Sequence, residues 1–154
     1  MFRICAVLVV IAAMFSLSSA TRGPHHRAEA AITNLSANIS NAAEVPPTNP
    51  TSSLGGARPA SFGFASFVLN DATPQMTMTI TVFNVDCTGT QSADTNDNLL
   101  NAHIHAPGIP GANGPVVWGF FGAPFNDNNP NDQIVIPFTT GVGCTILELS
   151  LIHI

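Results

Sequence analysis

Lysine and tyrosine are absent from this sequence, and arginine occurs only four times among its 154 residues. The nine acidic residues outnumber these basic ones and give a formal net charge of −5. Proteins that bind nucleic acids or anionic membrane surfaces need clustered basic side chains, so the composition argues against both classes. The missing lysine also excludes Schiff-base catalysis and a Walker-type phosphate loop, since each depends on its amine.

The sequence also lacks the patterns of common catalytic and helical proteins. There is no Gly-X-Ser-X-Gly nucleophile motif and no glycine-rich nucleotide loop between a strand and a helix. Outside the first twenty residues, no apolar period of 3.6 residues extends over ten positions. Twelve glycines and twelve prolines accompany many Asn, Thr and Ser residues, a composition typical of turn-rich β proteins.

The first twenty residues have the order of a secretory signal. Arg3 precedes a run of twelve apolar residues at positions 4–15, and the small residues Ser18-Ser19-Ala20 follow. The run is short for a transmembrane span, which needs about 20 apolar residues. We predict a signal peptide over residues 1–20 with cleavage after Ala20, and hence a secreted or periplasmic protein. The alternative is an uncleaved N-terminal anchor.

Short stretches of alternating apolar and polar residues predict β-strands. The clearest is 76–82, where Met, Ile and Val alternate with threonine, as in a strand with one wetted face. The phenylalanine-rich stretch 60–69 shifts its apolar phase by one residue, which predicts a bulge near Ala65-Ser66 or burial of both faces. Further strands are predicted over residues 32–39, 100–105, 115–121 and 134–138. We predict an all-β fold, an antiparallel β-sandwich of short strands with long polar loops.

Two cysteines, Cys87 and Cys144, follow the predicted signal peptide. In an oxidising compartment they could pair and close a loop of about 57 residues. Such a bond stabilises a fold by about 3–4 kcal/mol through the lower entropy of the unfolded chain. The sequence leaves this pairing open, because it does not fix the distance between the two Cα atoms.

Two longer motifs have distinctive residue orders. The first begins at Asn34-Leu35-Ser36 and ends at Glu44-Val45-Pro46-Pro47, ahead of the phenylalanine-rich strand. The second is Ala102-His103-Ile104-His105-Ala106-Pro107-Gly108, then Gly111-Ala112-Asn113-Gly114-Pro115-Val116-Val117. Together they resemble the CHRD domain, a module first recognised in chordin that also occurs in secreted bacterial proteins. The motif residues that the resemblance assigns are Glu44, Pro46, Pro47, His103, His105, Gly108, Gly111, Asn113, Gly114 and Pro115.

The resemblance covers about residues 31–145 and suggests a division of the chain. A signal peptide (1–20) and a polar linker (21–30) precede the domain. Residues 146–154 do not resemble the closing strand region of the family, so we predict an atypical or truncated tail there. A missing closing strand would leave a sheet edge unpaired.

What the resemblance implies about function is a secreted, non-enzymatic binding or structural module. Its partner would be an extracellular protein or matrix component of unknown identity. No cofactor is implied by the resemblance. The growth-factor antagonism of chordin-like animal proteins is an analogy at the level of the fold and does not transfer to this chain.

His103 and His105 lie two residues apart on a predicted strand, so their side chains leave one face while Ala102 and Ile104 face the core. In one interpretation the pair binds a metal ion for redox or hydrolytic chemistry, like the His-X-His strand of copper/zinc superoxide dismutase. Such a site needs three or four ligands. The other candidates, which show no diagnostic spacing, are His25, His26, Glu44, Asp94, Asp97, Asp127, Asp132 and His153. In the second interpretation the two histidines hydrogen-bond loop backbone and hold residues 108–115 in place.

Residues 94–98 partly imitate a calcium-binding loop, with acidic side chains at 94 and 97. An EF-hand needs Gly at its sixth position and Glu at its twelfth, and these positions hold Leu99 and His105. The sequence therefore excludes an EF-hand and predicts Asx turns in a surface loop. A looser calcium site is the alternative.

Overall fold

The computed structural model describes residues 8–9, 31–44, 47–73, 75–105, 112, 114–121 and 133–151. Its strands are β1 (Leu8–Val9), β2 (Ile32–Ser40), β3 (Phe62–Asn70), β4 (Gln75–Phe83), β5 (Ala102–His105), β6 (Val116–Phe121), β7 (Gln133–Pro137) and β8 (Gly143–Leu151). A short 3-10 helix, Asn41–Ala43, follows β2. Among these residues no helix is both long enough and apolar enough to cross a membrane.

Two sheets contain these strands. The larger sheet has the order β2-β3-β4-β8-β7, and all its neighbours are antiparallel. In the smaller sheet β5 pairs with β6 antiparallel and with the two residues of β1 in parallel. β1 lies inside the segment predicted as a signal peptide. The prediction of an all-β, antiparallel sandwich is confirmed.

The fourth strand confirms the alternation seen in the sequence. Met76, Met78, Ile80 and Val82 are all buried, and their threonine neighbours lie on the other face of the sheet. The side-chain period of two separates the faces because successive residues of a strand point in opposite directions. β4 is the central strand of the larger sheet, between β3 and β8, so its apolar face forms the middle of the core.

The predicted bulge in the phenylalanine-rich strand is wrong. β3 pairs in continuous register with β2 and β4 from Phe62 to Asn70, and its buried and exposed residues alternate. The small residues Gly63 and Ala65 face inward, and Phe62 and Phe64 are 50% and 52% exposed on the outer face. A Cβ atom at Gly63 would collide with the Thr81 carbonyl oxygen. The apparent phase shift arises because two of the phenylalanines lie outside the core.

The last strand extends past the domain boundary predicted at residue 145. β8 lies between β4 and β7, with Cys144 and Ile146 in the core. Glu148 follows in the same phase and is also buried. Residues 146–151 therefore continue a central strand of the larger sheet. The sequence pattern did not predict this strand, because Glu148 occupies a core-facing position and Leu147 and Leu149 occupy the opposite phase.

The core predicts opposite responses at neighbouring positions of β4. Met78→Asp places an unpaired charge at a site that is 1% exposed, and we expect a loss of stability above about 4 kcal/mol. Thr79→Asp lies on the outer face and should change stability by less than about 1 kcal/mol. Thermal denaturation of both variants measures the difference, and equal melting temperatures would contradict the assigned facing.

Candidate functional site

Asp86 organises the loop that follows β4. Its side chain is fully buried and accepts backbone hydrogen bonds from five consecutive residues. The Oδ1 atom takes the N–H groups of residues 88–90 at 2.7–3.2 Å. The Oδ2 atom takes those of Gln91 and Ser92 at 2.7 and 2.9 Å. Gly89 has a φ of +71°, a conformation that glycine adopts without strain and that lets the backbone curl around the carboxylate.

These donors set the protonation of the buried carboxyl. Burial alone raises the pKa of Asp86, but the backbone N–H groups of Ser92, Thr88, Gly89 and Gln91 together outweigh it. The pKa of Asp86 therefore lies below the ordinary value for aspartate. A carboxyl with a lowered folded pKa stabilises the fold above its unfolded pKa of about 3.9, and this contribution is lost as pH falls through the folded pKa.

The same loop is bonded to the larger sheet. Cys87 and Cys144 form a disulfide with a Cα–Cα distance of 6.1 Å, so the pairing that the sequence left open is present. Gln91 accepts the Cys87 N–H at 2.9 Å and donates to the Gly143 carbonyl at 2.8 Å. The Asp86 backbone also exchanges 2.7 Å hydrogen bonds with Asp97 and Leu99. The loop is thereby closed on itself and fixed to β8.

The acidic residues of the calcium-like stretch bond within the protein. Asp94 Oδ1 accepts the N–H of Asn96 at 3.1 Å, which is an Asx turn, and the N–H of Ser53 at 2.7 Å. The Ser92 hydroxyl lies 3.0 and 2.8 Å from the two oxygens of Asp97. Burial raises the pKa of Asp97, with the Ser92 hydroxyl opposing it and the charge of Asp94 adding to it. Asp94 therefore bonds this stretch to Ser53, and Asp97 bonds it to Ser92, which lies earlier in the same loop.

A small pocket lies where this loop meets the ends of β2 and β4. It encloses about 30 Å³, which is room for one or two water-sized groups. Its polar lining consists of Ser40, Asn41, Glu44, Thr48, Arg58, Ser61, Asn96, Asp97 and Asn98, and its apolar lining of Ile39, Phe62, Val82 and Val85. Glu44, from the first family motif, is therefore one wall of a polar pocket.

Arg58 is the basic residue of that pocket. Its Nη1 atom donates to the Asn84 carbonyl at 3.0 Å and to the Ser61 hydroxyl at 3.3 Å. Its Nε atom is buried without a hydrogen-bond partner. Asn84 has a φ of +58° and also bonds the Ala60 carbonyl through Nδ2 at 2.8 Å. The turn after β4 therefore fixes one edge of the guanidinium group at the pocket wall.

Four phenyl rings continue from the pocket along the outer face of the larger sheet. Phe62 stacks on Phe83 with a centroid distance of 4.8 Å and an interplanar angle of 11°. Phe83 also contacts Phe64 and Phe138, at 6.4 and 5.2 Å. We call Phe62, Phe64, Phe83 and Phe138 the aromatic row. Because Phe62 belongs both to the row and to the pocket lining, the two features form one continuous surface.

The histidine pair lies in the smaller sheet. The rings of His103 and His105 are 6.2 Å apart, and His103 is 5% exposed. His105 Nδ1 lies 2.8 Å from the Gly114 carbonyl oxygen. Since a carbonyl can only accept, this nitrogen carries the proton. This is the contact that the loop-bracing interpretation requires, between β5 and the residue that precedes Pro115. Within the described residues there is no group of three or more His, Cys, Asp or Glu side chains that could hold a metal ion.

The remaining predicted residues are dispersed. Pro47 is exposed, and Pro115 directly precedes β6. The positions that lie outside the described residues are His25, His26, Pro46, Gly108, Gly111, Asn113, Asp127, Asp132 and His153. Sequence reasoning missed Arg58, Asp86 and the outward Phe62. One signal for Asp86 was available, namely a carboxylate followed by the short turn-forming run Thr88-Gly89-Thr90.

The loop geometry predicts a strong dependence on the Asp86 charge. Asp86→Asn removes the charge and presents an NH₂ group to backbone donors, so we expect a loss of about 2–3 kcal/mol at neutral pH. Asp71→Asn is the matched control, since Asp71 is exposed and accepts one N–H, from Ala31. Chemical denaturation between pH 7 and about pH 3 measures both. The Asp86→Asn protein should lose less stability on acidification than the unmodified chain, and parallel pH curves would contradict the assignment.

The histidine geometry predicts a structural role for His105. His105→Ala removes the bond to Gly114 and should lower stability by about 1 kcal/mol. A chelator should leave the melting temperature of the unmodified chain unchanged. Saturable binding of Cu²⁺ or Zn²⁺ that raises the melting temperature, and that His105→Ala abolishes, would establish the metal interpretation instead.

Comparison with known families places the chain. No curated protein and no solved structure shows significant similarity to it. The CHRD domain model matches residues 35–150, a segment that begins within β2 and ends within β8. It contains the second sequence motif, all but the first residue of the first motif, and both cysteines of the disulfide. This match spans well over half of the sequence, and the chain therefore belongs to the CHRD domain family.

Proposed function

We propose that the protein is an extracellular, non-enzymatic binding module. Its contact surface is the aromatic row together with the Arg58 pocket. The observation that carries the proposal is the outward position of Phe62 and Phe64, each about half exposed on a sheet face. A contiguous apolar patch with a polar margin is typical of an interaction site, whereas isolated exposed apolar residues are ordinary.

The extracellular location is supported by two features. The Cys87–Cys144 disulfide is buried, with its sulfur-bearing residues 7% and 0% exposed, and structural disulfides persist in oxidising compartments. The N-terminal residues have the order of a cleaved secretory signal, which predicts a mature chain beginning at Thr21. Both features support a chain that is exported before it becomes oxidised.

The binding role is supported by how the surface is built. Gly63 and Ala65 occupy the inner face of β3, where larger side chains would ordinarily fill the core. The same strand carries one phenylalanine in the core, Phe67, and two on the outer face, at positions 62 and 64. Two exposed phenyl rings leave apolar surface in contact with water. Burying that surface against a partner would contribute about 25 cal/mol of binding free energy per Å².

Cell fractionation tests the proposal. In a culture that secretes the chain, we expect the protein to be retained on the cell envelope or extracellular matrix. The Phe62→Ser/Phe64→Ser double variant should pass into the soluble medium. Val117→Ser is the control, because Val117 is 51% exposed but lies on β6 in the other sheet. Equal distribution of the unmodified chain and the double variant would refute the proposed surface.

A further inference from the structure

We propose that the aromatic row and the Arg58 pocket together bind a neutral saccharide chain. This inference rests on the proposed function and specifies its ligand. Phe62 joins the two parts, since its ring stacks in the row and also lines the pocket. A saccharide presents two kinds of surface, apolar C–H faces that pack on phenyl rings and hydroxyl groups that hydrogen-bond. The site offers a complement to each.

The pocket supplies groups suited to hydroxyls. A guanidinium, a carboxylate and an amide are each planar with two adjacent polar atoms, a geometry that engages neighbouring hydroxyls of a sugar ring. Arg58 and Asn98 are two such groups in the lining. The buried Nε of Arg58 has no hydrogen-bond partner. A buried polar group without a partner costs about 1–3 kcal/mol, which a ligand hydroxyl would offset.

The dimensions favour an extended ligand over an enclosed small molecule. The pocket holds about 30 Å³, whereas sites that enclose a small molecule run to about 300–1,000 Å³. One or two hydroxyl groups fit inside, and the rest of the ligand must lie outside it. The aromatic row provides that external platform, in which the Phe83 ring centroid lies 4.8–6.4 Å from those of the other three rings.

The charges favour a neutral ligand. Arg58 shares its pocket with the acidic residues Glu44 and Asp97, and the charge of Asp94 also acts on the guanidinium. The whole chain has a formal net charge of −5. A sulfated or uronic-acid polymer would meet this repulsion with one arginine to balance it, whereas a neutral saccharide would not.

The sheet face beside the row has the same character. On β2, β3, β4 and β8 the positions in register with Phe62, Phe64 and Phe83 form the outer face and carry no charged residue. Their residues include Ile32, Asn34, Ser36, Asn38, Ser40, Phe62, Phe64, Ser66, Val68, Asn70, Gln75, Thr77, Thr79, Thr81, Phe83, Thr145 and Leu147. Protein interfaces are enriched in aromatic residues, Met and Arg and depleted in Ser, whereas most of this set consists of Ser, Thr and Asn. Short hydroxyl and amide side chains around phenyl rings instead match the hydrogen-bonding surface of a glycan.

Isothermal titration of the full chain with cellohexaose, chitohexaose, maltohexaose and mannohexaose tests this inference. We expect at least one to bind with a Kd below about 1 mM, with no change between low and high salt. Phe62→Ala should weaken that binding by about tenfold or more, and Val117→Ser should leave it unchanged. Both positions are half exposed, so both variants should fold, and their melting temperatures verify this.

Arg58 variants distinguish the ligand classes. Arg58→Lys keeps the charge but loses the planar pair of donors. A saccharide site should lose affinity similarly in Arg58→Lys and Arg58→Gln, whereas a site for anions should retain it in the lysine variant.

Three outcomes would overturn the inference. One is no saturable binding of any of the four hexasaccharides. The second is salt-sensitive binding of heparin or polygalacturonate in their place. The third is a concentration-dependent dimer that Phe62→Ala dissociates, which would make the face a contact between two copies of the chain. If the fractionation result holds while the hexasaccharides fail, the binding module stands and its ligand is not a neutral saccharide.

Discussion

The Asp86 carboxylate is the constraint on which the candidate site depends. By accepting five backbone N–H groups it fixes the start of the loop. The neighbouring disulfide attaches that start to β8. Backbone hydrogen bonds of Asp86 with Asp97 and Leu99 then hold the end of the loop beside its start. Residues 96–98, at the end of the loop, therefore line the pocket together with Arg58. The pocket wall depends on the buried Asp86 carboxylate, whose charge is stabilised by the backbone N–H groups around it.

The larger sheet forms the rest of the candidate site, because β3 places two small residues in the core and two phenylalanines on the outer face. β3 faces the core with Gly63, Ala65 and Phe67 and faces outward with two further phenylalanines. The close approach of Gly63 to the Thr81 carbonyl brings β3 against β4 at the position where Phe62 stacks on Phe83. A change at an inward glycine would therefore displace rings on the opposite face, which couples core packing to the geometry of the exterior.

Much of the fold could be predicted from periodicity, and much of the site could not. β4 could be predicted because its Met, Ile and Val residues alternate with threonine, which places the two kinds of side chain on opposite faces. β3 was misread because phenylalanine was assumed to mark the core, and β8 was missed because Glu148 occupies a buried phase. Asp86 resembles any loop acid until its donors are seen, and the pocket joins residues from position 39 to position 98. No local pattern reports contacts across such separations.

The position of Arg58 has a consequence for proteolysis. Trypsin-like enzymes cleave after arginine or lysine, and proline at the next position blocks them. Arg58 is followed by Pro59, lysine is absent, and the other arginines are at positions 3, 22 and 27. From residue 28 onward the chain therefore contains no bond that such enzymes cut, folded or unfolded. Most domains resist proteases only while their structure stays closed, whereas this one resists an entire protease class through its covalent sequence.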